Sequence, residues 1–367
     1  MKILYIITKS TEGGAQTHIS QLSKNLKEEG NEVTVMSCPG GWLEDITKSN
    51  GIKYYPNVFL SNSLNPLKGF KAMKEIKKVI KEFNPDLISL HSSAAGLWGR
   101  LAVKGKIKTV FTAHGWSFTE GVPFLRKRIA ILVEKFISKY AHKVICVSEF
   151  DESLSHKYKV VPKYKVLTIH NGVEIGEKKE KNYSFPLRII FVGRLSDQKN
   201  PMLLVKAFNE LSDELKNKSE VILVGGGTEG KDNIEKYISE NNLNNKVKLL
   251  GSLPRNKVFE EYEKSHIFVL TSNWEGFPRS ILEAMSFSLP IIATDVGGVK
   301  ESVTSDCGFI IPKDGKEELK EALTLLLNDT SLINFLGKKS RERVENNFSL
   351  DKMIIKTKEV YTLLLEE

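Results

Sequence analysis

The sequence predicts an α/β protein made of two Rossmann-like, doubly wound parallel sheets in tandem. Three observations carry that expectation. Short β-rich runs alternate with helix-length amphipathic segments, the pattern of βαβ units. The alternation ends near residue 173 and starts afresh near 187. The chain has 367 residues, too many for one small core and suited to two domains of ordinary size.

The first half opens with KILYII, a buried strand. AQTHISQLSKNLKEEG follows, apolar at helical spacing and closed by Gly30, and leads into the strand EVTVMS. DLISLH, TVFTAH and KVICVS come next, each after a helix-length segment. The second half begins with the strand LRIIFVGRL and the helix LLVKAFNEL. It continues through the strands EVILVGGG, KVKLLGS, HIFVLTS, PIIATDVG and GFIIP. The expected boundaries are 1–173 and 187–348, joined by a polar linker at 174–186. The tail, 349–367, reads as one helix (MIIKTKEVYTLLL). Two such sheets are expected to face a shared cleft with the carboxyl ends of their strands.

Bulk properties narrow the function. No apolar run approaches the roughly 20 residues that span a bilayer. MKILYIITKS lacks the length and cleavage site of a signal peptide. Cys38, Cys146 and Cys307 are far apart and in no metal-like spacing, which suits packing roles in a reducing cytoplasm. The net charge of +9 is uneven. Residues 1–173 hold 26 Lys/Arg against 14 Asp/Glu, +12, and the rest hold 28 against 31, −3. Two basic amphipathic segments, LNPLKGFKAMKEIKKVIKEF and PFLRKRIAILVEKFISKYAHK, account for much of that excess. They read either as docking faces for anionic lipid or as ordinary helices with one solvated side. Aromatic residues do not interleave with the basic runs, and no nucleic-acid module is present, so nucleic acid is not an expected partner.

The chemistry-bearing stretches all follow strand ends. In SNWEGFPRSILEAM, Pro278 is expected at the first helical position. Arg279, Ser280 and Ile281 would then offer backbone amides at the positive end of a helix dipole, an anion site. Glu275 and Glu283 flank that point, as carboxylates for sugar hydroxyls or simply as acids favoured by the dipole. In FVGRLSDQKN, Arg194 and Lys199 suit a diphosphate. No Asp-x-Asp triplet exists to hold a metal there, so none is expected. On this reading Lys199→Ala removes stabilisation by a diphosphate and leaves the fold intact. Gly13 and Gly14 sit between the first strand and first helix, where backbone can approach a ligand closely. The spacing is not GxGxxG, which counts against a dinucleotide enzyme. His114 lies just past a strand end in TVFTAHGWSF. The other His residues lack metal spacing. Ser148 and Glu149 follow the next strand, with Glu149 a weaker acceptor-side candidate.

Taken together, EGFPRSILEA with the PIIATDVGG strand and loop, the GRL…KN stretch at Gly193–Asn200, the GGA turn and HNGV at 170–173 resemble the retaining glycosyltransferases of the GT-B fold, family 4. The likeness runs over nearly the whole chain. It implies a nucleotide-diphosphate sugar held mainly by the second domain, with UDP the expected nucleotide. Glu283 would hold the ribose, while Arg194, Lys199 and the amides near Arg279 and Ser280 would hold the diphosphate. Glu275 and His114 would contact the sugar. It also implies that the C-terminal helix returns to the first domain and that the leaving phosphate helps deprotonate the acceptor. A lipid-linked glycan acceptor is the expectation from the basic half. Two positions depart from the family: Gln16 stands where an acid is common, and LVGGGTEG has Gly226 where Asp is usual. The competing readings are a nucleotide-sugar epimerase on the same fold and a non-enzymatic carbohydrate- or membrane-binding scaffold.

Overall fold

The structure is a computed structural model that describes residues 1–61, 65–177, 181–227 and 230–367. Two compact units emerge: 1–172 with 351–367, and 173–350.

Unit 1 is a seven-stranded, wholly parallel sheet. Its strands are β1 (Lys2–Ile6), β2 (Glu32–Ser37), β3 (Lys53–Pro56), β4 (Leu87–His91), β5 (Lys108–Ala113), β6 (Lys143–Cys146) and β7 (Val166–Thr168), in the order β3-β2-β1-β4-β5-β6-β7. The helices are α1 (Gly14–Glu28), α2 (Trp42–Ser49), α3 (Pro66–Phe83), α4 (Ser93–Val103), α5 (Phe124–Ile137) and α6 (Glu149–Tyr158). Ile3, Leu4, Tyr5 and Ile6 of β1 are fully buried, as both faces of a parallel strand under helices must be. Local chemistry marks the helix ends. Asn65 caps α3 by accepting from the amide of Leu67 at 2.9 Å, and Asn84 ends it in the left-handed region.

Unit 2 repeats the plan with six parallel strands. They are β8 (Leu187–Val192), β9 (Ser219–Val224), β10 (Val247–Gly251), β11 (Ile267–Leu270), β12 (Ile291–Thr294) and β13 (Gly308–Ile311), in the order β10-β9-β8-β11-β12-β13. Its helices are α7 (Pro201–Asn209), α8 (Asp213–Asn217), α9 (Lys231–Glu240), α10 (Arg255–Lys264), α11 (Arg279–Ser286), α12 (Val299–Ser302), α13 (Lys316–Asn328) and α14 (Thr330–Asn347). The last helix, α15 (Leu350–Glu366), belongs almost entirely to unit 1. It buries Met353, Ile354, Thr357, Val360, Tyr361 and Leu364, and the Tyr361 hydroxyl lies 2.8 Å from Ser89 Oγ on β4.

The strands expected from sequence are present, and two more close the edges of the first sheet. The strand β3 ends in proline and β7 has three residues. Edge strands are short and tolerate proline, which leaves them little sequence signal. Part of the expected linker, 178–180, lies outside the described residues. Beyond it, Lys181 Nζ donates to the carbonyls of Tyr262, Glu263 and Ser265 at 2.7–3.0 Å. Among the described residues, no helix is long and apolar enough to cross a membrane. Cys146 and Cys307 are buried thiols and Cys38 is half-buried.

Candidate active site

Open α/β sheets bind ligands at the carboxyl ends of the strands where the strand order reverses. In unit 2 that point lies between β8 and β11, so the loops at 193–200 and 271–278 form it. Hydrogen bonds stitch the two loops together. Thr271 Oγ1 donates to Asn200 O at 2.8 Å, the Asn273 amide to Gln198 O at 2.7 Å, and Gln198 Nε2 to Trp274 O at 3.2 Å.

The stitching places Lys199 on Glu275. The ammonium donates to Glu275 Oε1, and Ser272 Oγ donates to the same oxygen at 2.6 Å. The two side chains are only 15% and 7% exposed, so the pair is largely out of water and neither charge is held by solvent alone. The expected roles, Lys199 on a diphosphate and Glu275 on a sugar, thus start from a mutual contact that spacing did not reveal. Arg194 is exposed, and its Nη2 donates to Gln198 Oε1 at 2.7 Å.

Glycines make these turns possible. Gly297 has φ 56°, and a Cβ there would stand 2.0 Å from the carbonyl oxygen of Glu275. Its neighbour Gly298 donates its amide to Gly276 O at 2.9 Å, so the loop after β12 braces the Glu275 turn. A Cβ at Gly225 would meet Gly193 O at 1.8 Å, which lets the ends of β8 and β9 lie close.

The helix start after the turn differs from expectation in two details. Pro278 is the residue before α11, with extended backbone, and Arg279 is the first helical residue. The Ile281 amide already donates to Pro278 O at 3.3 Å, because the first turn tightens, so it is not one of the amides offered to an anion. The Arg279 side chain is buried, and desolvation pushes its pKa down to about 10, opposed by Glu283 one turn on and reinforced by Arg255. Arg255, at the start of α10, was not singled out from sequence. Its Nη2 donates to Glu283 Oε1 at 2.8 Å. Arg194, Lys199, Arg255 and Arg279 against Glu275 and Glu283 leave two net positive charges, a balance suited to a diphosphate. A hollow of about 880 Å³ lies elsewhere, against Arg188 and His266 at the amino ends of β8 and β11, and shares no residue with this constellation.

In unit 1 the order reverses between β1 and β4. Thr8 and Ser92, just past these strands, bring their hydroxyls within 3.1 Å. Ser92 holds φ 69°, an uncommon state for a non-glycine residue and a form of strain that clusters at functional sites. Gly13 is extended and directly precedes α1, which Gly14 begins, and neither needs glycine for its φ. One turn into α1 stands His18, and its ring meets that of His114 edge-on at 5.0 Å. His91, at the end of β4, is fully buried, and its Nδ1 lies 2.9 Å from His114 Nε2. Three histidines 96 positions apart at the extremes thus share one spot, with ring nitrogens within 4.8 Å of one another. Spacing along the chain could not show this. The His91–His114 separation is that of a hydrogen bond. Two imidazole nitrogens on one tetrahedral zinc stand about 3.3 Å apart at the usual bond length. Ser148 is a structural cap: it accepts from the Asp151 amide at 3.1 Å and donates to Asp151 Oδ2 at 3.0 Å. Glu149 is exposed in the first turn of α6, where the dipole favours an acid.

The family model for Glycosyltransferase Family 4 matches residues 12–177, and that for Glycosyl transferases group 1 matches 174–347. The O-antigen biosynthesis glycosyltransferase WbnH of Escherichia coli is 30% identical over 82% of both chains. The chain belongs to this family of GT-B glycosyltransferases. A second relative of the glycosyltransferase, from E. coli, is UDP-Gal:alpha-D-GlcNAc-diphosphoundecaprenol alpha-1,3-galactosyltransferase, 28% identical over 98% of this chain and 96% of the relative. The crystal structure of Anabaena HepE in complex with UDP-glucose superposes with a TM-score of 0.85 at 20% identity, covering 99% of each chain. At that identity the likeness speaks for the fold. Gly226, the glycosyltransferase's departure after β9, leaves no room for a larger residue as the loop stands, since a Cβ would lie 2.2 Å from Ser252 Oγ. Residues 228–229 of the same stretch lie outside the described residues.

Proposed function

We propose that this glycosyltransferase moves a sugar from a UDP-sugar to a hydroxyl of a lipid-linked glycan in surface-polysaccharide assembly, with retention of anomeric configuration and without a metal ion. The observation that carries the donor half is the Lys199–Glu275 pair at the β8/β11 switch point, followed along α11 by the Arg279, Glu283 and Arg255 group. The choice of UDP and of a lipid-linked acceptor draws on relatives: the E. coli galactosyltransferase is named for both, and HepE was solved with UDP-glucose.

In the reaction the bond from the anomeric carbon to the diphosphate oxygen breaks as the bond to the acceptor oxygen forms on the same face. The acceptor's proton passes to the departing diphosphate. Positive charge builds on the sugar ring and negative charge on the leaving group. Arg194, Lys199 and the amino end of α11 stabilise the latter, and losing one such contact costs on the order of 10²–10³ in rate. When a diphosphate draws Lys199 away, Glu275 is released towards the sugar. Glu283, steadied by Arg255, takes the ribose hydroxyls. His114 contacts a substrate hydroxyl.

The acceptor half fits a peripheral membrane protein. Leu125, Ile129, Leu132 and Phe136 of α5 are all exposed, at spacings of four, three and four, so they line one stripe of the helix. Arg128, Lys135 and Lys139 run beside it. An apolar stripe flanked by cations suits the interface of an anionic bilayer.

The test is nucleotide release from UDP-, GDP- and ADP-sugars, with and without a polyprenyl-diphosphate glycan acceptor, repeated in EDTA. Product is expected with a UDP-sugar and acceptor, with the anomer retained and the rate unchanged by chelation. Epimerised donor without acceptor, silence with every donor, or activity restored only by manganese would each overturn part of the reading. The first outcome returns the epimerase and the second the scaffold, which the family match does not favour.

A further inference from the structure

His91 has no role in the reading above, yet it is fully buried beside the one imidazole that does. It sits mid-chain in a series of hydrogen bonds. Tyr361 Oη lies 2.8 Å from Ser89 Oγ, Ser89 Oγ lies 3.0 Å from His91 Nε2, and His91 Nδ1 lies 2.9 Å from His114 Nε2. Burial, with His114 and His18 adding to it, drives the His91 pKa well below the ordinary value, so the ring is neutral. A neutral imidazole carries one N–H and one lone pair, so His91 donates to one neighbour and accepts from the other. A Ser89 that accepted from both sides would leave its own buried proton without an acceptor, so the satisfied series runs in a single direction.

The phenols at its far end decide which. Burial raises both Tyr361 and Tyr5, which interact, so both keep their protons. If the series ran from His114 outward, Ser89 would donate to Tyr361. The buried Tyr361 proton would then have no acceptor, because among the described residues its hydrogen bond is to Ser89 and the nearby Tyr5 hydroxyl makes none. Run inward, Tyr361 donates to Ser89, Ser89 to His91 Nε2, and His91 Nδ1–H to His114 Nε2.

We propose that His91 is a positioning residue that holds His114 as its Nδ1–H tautomer. His114 then serves as a hydrogen-bond donor to a substrate hydroxyl and not as a base through Nε2, whose lone pair is engaged. The catalytic consequence rests on the reading of His114 as a substrate contact, whereas the tautomer does not.

The two are tested separately. In ¹⁵N-histidine-labelled full-length protein at neutral pH, multiple-bond correlation spectra report which ring nitrogen is protonated. The His114 signal is assigned by its loss in His114→Gln. Protonated Nδ1 and bare Nε2 are expected in the wild type, and a mixture of tautomers in Ser89→Ala and His91→Leu. Protonated Nε2 in the wild type, or an unchanged signal in both variants, would overturn the proposal. In turnover assays, His91→Leu is expected to lose about tenfold in kcat/KM, the scale of one hydrogen bond. His91→Asn, whose amide nitrogen can donate in place of Nδ1–H, is expected to stay within about threefold of the wild type. Equal losses in Asn and Leu variants of matching thermal stability would overturn the positioning role. The expected spectrum with no change in turnover would keep the tautomer and sink the substrate contact.

Discussion

Replacing Lys199 tests the donor site most sharply, because the structure changes what that replacement should do. From sequence, Lys199→Ala strips away diphosphate binding and spares the fold. In the structure the ammonium is bound to a Glu275 carboxylate that is 7% exposed, so truncation leaves a nearly buried charge whose remaining side-chain hydrogen bond among the described residues is from Ser272. Removing one partner of a buried pair costs about 3–5 kcal/mol, and the lower end applies because Ser272 still donates. At roughly 2–4 °C per kcal/mol for a unit of this size, the unit 2 transition should fall by about 6–12 °C. Glu275→Gln keeps the contact to Ser272 and leaves a flexible lysine able to reach water, at a cost of about 1–2 kcal/mol. The double variant should be nearly as stable as Glu275→Gln alone, a coupling of about 3 kcal/mol. UDP at a hundredfold excess over Kd stabilises the wild type by about 2.7 kcal/mol, and that increment should be missing from both Lys199→Ala and the double variant. Differential scanning fluorimetry of the four proteins, with and without UDP, reads both quantities. Additive single effects would refute the ion pair, and a wild-type response to UDP in the stable double variant would refute Lys199 as a diphosphate ligand.

Gly297→Ala should lose at least about 1 kcal/mol from its positive φ alone, and more from the clash with Glu275 O. Donor turnover should fall with it, as nucleotide-release assays would reveal. Arg255→Ala frees Glu283 from its 2.8 Å partner, so steady-state kinetics should show the donor KM rising about tenfold while kcat moves less than about threefold. The depressed pKa of His91 makes unit 1 pH-sensitive: the unfolded chain takes up its proton near 6.5 while the folded chain refuses it. Stability is thus fully present above that pH and falls by about 1.4 kcal/mol per unit below it. Urea titrations should show that slope reduced in His91→Asn. Full-length protein should float with phosphatidylglycerol vesicles and not with neutral ones, and Ile129→Asp with Leu132→Asp should abolish flotation.

The two-sheet architecture was legible because parallel strands buried on both faces must be nearly continuous in Val, Ile and Leu. KILYII and LRIIFV announce themselves in that way. The edge strands β3 and β7 did not, since an edge has one neighbour and little burial to encode. Within the candidate site, Arg194, Lys199, Glu275 and His114 could be singled out one by one because they follow strand ends, and Glu283 because it stands one turn into the helix after Pro278. Arg255 was missed because nothing local distinguishes a basic residue at the start of α10 from any solvated one.

By itself the sequence determined the fold class and which polar and charged groups stand in the loops that follow the strands, because strand periodicity and turn residues are written in neighbouring positions. Only the tertiary structure decided who meets whom. Lys199 and Glu275 lie 76 residues apart, and Ser89 and Tyr361 lie 272 apart. The first pair exists because a parallel sheet returns every strand to the same edge and sets distant loops side by side, and the second because α15 packs its buried face back onto β4, juxtapositions that no local pattern encodes.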